Sequence, residues 1–209
     1  MRTRDLFPIL LLAIMFAFTI YSYTQLPEQI PIHWNEKGVA NGFGAKWTIF
    51  ILPAITIIAY LVLLILPKYD VYKKNLEKCN TPIYWLTVLI VIFFILLHTT
   101  TILQAAGVQF NMNYVLIPLF GLFFIGIGFI LPHIKRNFFI GIRSPWTLSS
   151  EKVWDKTHKV GGKVFIIAGA LTLVSIVFIN YALMIMVASL LIGSIGLVIY
   201  SYKIYKTTK

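Results

Sequence analysis

The chain has 209 residues, 59% of them hydrophobic and 12% charged, with a mean hydropathy of +0.84. That balance excludes a disordered chain and a soluble globular domain, which could not hide so much apolar surface at this length, and leaves the membrane class. The formal charge of +11 is not a nucleic-acid footprint, because the excess falls in the segments assigned below to the inner side, where it orients the chain and attracts anionic headgroups.

Six apolar stretches follow one another: Leu6 to Tyr23, Trp47 to Leu66, Ile83 to Gln104, Tyr114 to Leu131, Val164 to Ile179 and Leu183 to Tyr200. Each is near the ~20 residues that cross ~30 Å of hydrocarbon. The first begins like a secretory signal, but its apolar run is about twice a typical h-region and ends in Tyr21, Tyr23 and Gln25 without a small-residue cleavage site, so it reads as an uncleaved span. The last two need a break, since Val164 to Tyr200 as one helix would measure roughly 55 Å. Asn180, the strongly polar residue in that run, places a tight outer turn at Asn180 to Ala182.

Of the eighteen lysines and arginines, only Lys37 and Lys46 lie in the alternate connections; the other sixteen lie in segments that the positive-inside rule puts in the cytoplasm. The expected architecture is an all-α membrane protein with six transmembrane helices, both termini cytoplasmic, an ordered outer loop and an inner interfacial amphipathic helix. Its parts are an amino-terminal two-span domain (1–66, with the outer loop at 24–46), a central two-span hairpin (67–132) and a final part (133–209) holding the inner helix at 150–160 and another two-span hairpin. The tryptophans agree: Trp34 and Trp47 fall at the outer boundary, and Trp85, Trp146 and Trp154 at the inner one.

No Asp, Glu, Lys or Arg lies inside a span, which disfavours a coupled pump or an intramembrane hydrolase. His98 is the exception among ionisable groups, followed by Thr99, Thr100, Thr101 and Gln104 in the outer half of the third span. Two readings stay open: an outward polar pocket that contacts a ligand, or a neutral histidine bonded to a neighbouring helix. Pro8, Pro53 and Pro118 are candidates for bends; Gly121, Gly126, Gly128, Ser189 and Gly193 suit close helix approach. Cys79 is the sole cysteine, so no intrachain disulfide forms.

The outer segment from Leu26 to Trp47 is longer than a connection requires. Pro27 and Pro31 hold it extended, Ile30 and Ile32 make a short strand-like run, and Gly38, Asn41, Gly42 and Gly44 supply turn positions, so a compact lid over the helix ends is expected. His33 and Glu36 alone are a weak metal signal, and no metal or other cofactor is expected. In the long inner connection, Pro145 forces Ser144 out of helix, Ser149 or Ser150 offers an N-cap, Glu151 and Asp155 occupy the first turns, and Gly161-Gly162 end the helix. Val153, Trp154, Thr157 and Val160 share its apolar face.

Two motifs carry a resemblance. Pro31-x-His33-Trp34-Asn35-x-x-Gly38, with the glycine-rich run into Lys46-Trp47, resembles an amino-terminal membrane domain of unassigned role. Asn137-x-x-x-Gly141-Ile-Arg143-Ser-Pro-Trp146-Thr-Leu, followed by Val153-Trp154-x-Lys156-Thr157-His158 and Gly161-Gly162, is similar to the core of the SdpI family, with Asn41 and Ser144 departing from its usual residues. The resemblance implies a non-enzymatic immunity protein of the bacterial cell membrane that protects against a secreted, membrane-active peptide toxin and signals by holding a cytoplasmic transcriptional repressor at the membrane. On that implication the candidate outer ligand-binding residues are His33, Trp34, Asn35, Gly38, His98 and Gln104. Asn137, Arg143, Trp146, Trp154 and His158 are the candidates for inner partner or lipid contact. The alternative is a small transporter or carrier for an amphipathic compound. A metalloenzyme ranks last, because of the spread-out histidines only His33 and His98 could share the outer side.

Overall fold

The computed structural model describes residues 6–208. Helix α1 (Leu6–Tyr23) leads into an antiparallel pair, β1 (Gln29–Trp34) and β2 (Ala40–Ala45); then come α2 (Ile51–Ile65), the short α3 (Lys73–Glu77), α4 (Asn80–Ala105), α5 (Asn113–Ile130), the short α6 (Pro145–Ser149), α7 (Glu151–Val174) and α8 (Ile179–Lys206). Five helical stretches are long and apolar enough to cross a membrane: Leu6–Tyr23, Lys46–Tyr69, Asn80–Ala105, Asn113–His133 and the 58 residues of Glu151–Thr208. Their surfaces are inverted relative to a soluble protein, with Leu10, Ile58, Phe129 and Ile192 between 57% and 72% exposed, a distribution that is stable when the surrounding solvent is hydrocarbon. The chain is a multi-pass, mainly α-helical membrane protein.

Several threonines inside these helices are satisfied within their own helix. The hydroxyls of Thr19, Thr56, Thr87, Thr100 and Thr172 each donate to the carbonyl four residues back, at 2.7–2.8 Å, which removes an unpaired donor from an environment without water. Pro53 stands just after the 3-10 turn Lys46–Phe50 leads into α2, and Pro118 is interior to α5.

The longest stretch is folded in two at the 3-10 turn Ser175–Phe178, and Phe178 leaves helical geometry at φ −115°, ψ 55°. Phe165 and Leu190 pack in one cluster with Ile176, Ile179 and Met186, so α8 runs back along α7. The break lies a turn before the expected Asn180 to Ala182. Ala182 is fully buried in the cluster with Ile117 and Phe124 and cannot form an outer turn, while Ser175 closes α7 by donating to the Thr172 carbonyl at 2.6 Å.

A second correction concerns Gly161-Gly162. They do not end the helix: α7 runs on without interruption to Val174, and the expected 150–160 segment is its buried beginning, with Val153, Trp154, Thr157 and His158 all at 0% exposure. The glycines serve approach rather than termination. A Cβ on Gly162 would stand 2.7 Å from the Gly128 carbonyl oxygen, and one on Gly128 2.7 Å from that of Gly162; farther along, Gly169 and Gly121 meet with 2.5 and 3.0 Å. Each pair member is two helical turns from the next on its own helix, so α5 and α7 touch backbone to backbone at two points. Between helices in lipid, where apolar burial drives little, such close approach is a main source of attraction.

Gly162→Leu is therefore expected to lower the thermal midpoint of the detergent-solubilised protein by several degrees, an overpacking cost of at least ~1–3 kcal/mol. Ala170→Leu, on the exposed side of the same helix, should leave the midpoint unchanged.

Candidate functional site

The two ends of the bundle differ in what they leave free. At one end, β1 and β2 pair antiparallel from Gln29 opposite Ala45 to Trp34 opposite Ala40, with an irregularity between Pro31 and His33 that sets Ile32 outside the ladder. Ile30 points into a cluster with Leu26, Ile49, Ile102 and Ala105, so the hairpin is seated on α4. Glu28 holds the Lys46 ammonium at 2.7 Å, fastening the base of the hairpin.

The connecting turn is built by Asn35, whose Oδ1 accepts from the amides of Lys37 and Val39 at 3.0 Å each. Gly38 follows at φ +73°, and a Cβ there would also collide with the Asn111 side chain and the Asn113 amide, so glycine is required twice over. Two asparagines from the link between α4 and α5 clamp this turn: Asn111 Nδ2 donates to the Lys37 carbonyl at 2.7 Å and Asn113 Nδ2 to the Glu36 carbonyl at 2.8 Å. The Met112 amide donates to the Gly38 carbonyl at 3.0 Å. The sequence reading missed both asparagines; their signal is Asn-Met-Asn in a very short link between two apolar stretches.

Among the outer candidates, the Trp34 indole donates to Gln104 Oε1, and Gln104 Nε2 donates to the Phe110 carbonyl at 2.7 Å. Asn35 and Gly38 shape the turn. His33 is exposed, its Nδ1 bonded to Asn41 Oδ1 at 2.7 Å. His98 is not brought to this group: it stands six residues, about 9 Å of helix, deeper along α4 than Gln104. The His98 imidazole is 1% exposed and faces Thr19 of α1 at 2.7 Å, the geometry of a histidine bonded to a neighbouring helix, and no outward pocket opens there among the described residues. Because the Thr19 hydroxyl gives its one hydrogen to the Met15 carbonyl, His98 Nε2 is the donor of that contact, and among the described residues Nδ1 has no bonding partner. Around the hairpin, Ile32, Val39, Phe43 and Trp47 are 50–60% exposed.

The opposite end is occupied by its own chain. Asn137, fully buried, accepts from the amides of Phe139 and Ile140 and donates to the carbonyls of Lys135 and Ile140, all at 2.6–2.9 Å. Asp70 reaches over from the link after α2 and accepts from the Phe138 amide at 2.8 Å. Gly141, at φ +118°, passes so close to His158 Nε2 and Trp154 that no side chain fits. Trp154 donates through Nε1 to the Ile134 carbonyl at 2.8 Å and stacks on His158, ring centroids 4.0 Å apart. His158 Nδ1 donates to the Trp154 carbonyl at 2.9 Å and Nε2 accepts from the Ile142 amide at 3.1 Å, so both ring nitrogens are used and the tautomer is set by the backbone. Ser144 caps α6 in a capping box with Thr147, and Ser150 caps α7.

Of the inner candidates, Asn137, Trp154 and His158 thus have no free surface. Trp146 is half-buried against Tyr202, ring centroids 5.0 Å apart, and Arg143 is exposed, one guanidinium nitrogen donating to the Phe138 carbonyl at 2.6 Å. Among the described residues, no group of three or more His, Cys, Asp and Glu could hold a metal ion.

This arrangement defines the class: a multi-pass helical membrane protein with a seated β-hairpin at one end and a buried loop-and-helix junction at the other. Residues 133–201 match the SdpI/YfhL protein family, and residues 10–57 match a domain of unknown function, DUF1648. Most of the junction thus lies within the stretch that matches the first model, and the Pro31 motif lies within the stretch that matches the second. The chain is 28% identical over 204 residues to Immunity protein SdpI of Bacillus subtilis (strain 168), covering 97% of this chain and 96% of that protein. It is also 28% identical over 79 residues to an uncharacterized protein of Archaeoglobus fulgidus, 37% of this chain and 43% of that one. No solved structure matches.

Cys79 reports on the junction. Its thiol is buried, accepts from the Lys135 amide at 3.1 Å and faces the His133 carbonyl at 3.5 Å, and burial raises its pKa above the ordinary thiol value. At neutral pH it is the protonated, unreactive form, so labelling should be slow in the folded protein, rise as pH climbs through that raised value, and become fast on unfolding. Trp154→Ala removes the stacked, bonded indole at a cost of about 3–5 kcal/mol and should shift the temperature of Cys79 labelling sharply downward; unchanged labelling would show the junction does not depend on it.

Proposed function

We propose that the chain is a non-enzymatic immunity protein of the cell membrane that protects against a secreted, membrane-active peptide toxin. The likeness to Immunity protein SdpI over 97% of the chain carries this reading, since it extends along the whole chain rather than one module. In this reading the polypeptide crosses the membrane six times, the folded stretch Glu151–Thr208 counting as two crossings, with both termini and the junction in the cytoplasm and the hairpin outside. The sorting of lysines and arginines supports that orientation.

The hairpin is then the surface that meets the peptide. Ile32, Val39, Phe43 and Trp47 offer exposed apolar contact, with His33 and Asn41 as polar neighbours, and the asparagine clamp gives this face a rigid support. An apolar peptide collecting in the outer interfacial layer would encounter it before reaching the hydrocarbon. On the other side, Arg143 and the exposed lysines of α7, Lys152, Lys156 and Lys159, supply the contacts that hold a cytoplasmic repressor or lipid headgroups.

Deletion of the gene should sensitise the host to a peptide it secretes, and plasmid-borne copies should restore growth; unaltered sensitivity to every secreted peptide of the host would remove the proposal. In a Cys79→Ser background, Glu36→Cys should label from outside intact cells and Lys152→Cys only after permeabilisation. Labelling of both from outside would overturn the orientation.

A further inference from the structure

At the junction end, separate from the SdpI-family segment, a cleft of about 840 Å³ opens between α1, α2 and α4, with α3 at its edge. Its walls are mainly apolar, with Ile9, Leu63, Leu64 and Ile83, interrupted by Asn80 and Thr87, and Lys68 and Lys73 stand with Glu77 at its margin. Both lysines are exposed, and among the described residues neither ammonium is paired with a carboxylate. The volume lies within the ~300–1,000 Å³ of sites that enclose a small ligand. A mainly apolar slot ending in two lysines that no described carboxylate pairs matches one chemistry, an anion on a hydrocarbon chain, and basic pockets between membrane helices take up anionic lipid headgroups.

We propose that this cleft binds an anionic phospholipid, one acyl chain lying along the Leu63, Leu64 and Ile83 walls and the phosphate set between Lys68 and Lys73. The site needs both halves: the chain alone would find equal solvation in the surrounding bilayer, so selectivity over a zwitterionic lipid comes from the lysines, while the slot fixes where the headgroup sits. It requires no particular orientation in the membrane and does not rest on the immunity reading. A bound lipid would fill the space between α1 and α2, which are among the least internally buried of the apolar helical stretches, at 22% and 17%.

The test is lipid retention by the full-length protein, delipidated in detergent and titrated with phosphatidylglycerol or phosphatidylcholine, read by native mass spectrometry. Phosphatidylglycerol should bind with defined stoichiometry and phosphatidylcholine weakly. The Lys68→Gln/Lys73→Gln variant should bind phosphatidylglycerol roughly thirtyfold more weakly, two basic residues at the usual effect of one near an anionic headgroup. Lys203→Gln/Lys206→Gln carries the same charge change on α8 and should bind as the parent does, and glycerol 3-phosphate, a headgroup without chains, should not bind detectably. Leu64→Trp, which fills the slot without touching charge, should also reduce binding. Equal retention of the two lipids, equal losses in both lysine pairs, binding of glycerol 3-phosphate as tight as that of the lipid, or full retention by Leu64→Trp would each overturn the proposal.

Discussion

The contact of Gly121 and Gly128 with Gly169 and Gly162 is the constraint on which the rest of this protein depends. In water, apolar burial would press two such helices together through many side chains; in lipid that drive is largely absent, and packing rests on how nearly the backbones meet. With the facing carbonyl oxygens leaving no room for a Cβ at two points, α7 has one position along α5. That position carries the loop after α5 across the first turns of α7, where Trp154 and His158 wait for the Ile134 carbonyl and the Ile142 amide. The same closeness allows α8 to cover both helices through Ala182 and Met186.

The two ends of the bundle follow different physical logic. At the junction, nearly every notable side chain of the family segment is spent on the chain itself: Asn137 folds the loop, Gly141 yields space to an imidazole, and Ser144 begins a short helix. Such a site is closed, its side chains buried and bonded within the chain. At the hairpin, polar groups are consumed in seating it, through Asn111, Asn113, Gln104 and the Glu28–Lys46 pair, while apolar side chains are turned outward. A rigid support beneath an exposed apolar surface is what a receptor for a greasy peptide requires.

The end of the first apolar stretch at Tyr23 coincides with the end of α1, because apolar length is a one-dimensional property. The sequence also marked the hairpin's extended run and turn, since proline, asparagine and glycine act locally there. The last bend differs because a polar Asn180 marks a break by composition, whereas the chain turns at Ser175–Phe178 and carries Asn180 and Ala182 inside α8. Gly161-Gly162 misled for a related reason: glycine ends helices and also admits neighbours, and only the presence of Gly128 and Pro132 opposite decides between the two. Long-range pairings such as Asn113 with Glu36 or Asp70 with Phe138 leave no periodic trace, so the clamp and the strap over the junction appeared only in three dimensions.

We propose that the hairpin meets the peptide toxin, while the buried junction serves to keep the protein folded. The most direct measurement is survival of a sensitive strain under peptide challenge, normalised to the amount of folded protein read from Cys79 protection. Ile32→Ser and Phe43→Ser, at exposed positions, should lose protection while the folded amount stays constant. Junction variants such as His158→Gln should lose protection only in proportion to the folded protein lost. Full protection by the two hairpin variants, together with a junction variant that folds normally yet leaves cells sensitive, would contradict the account.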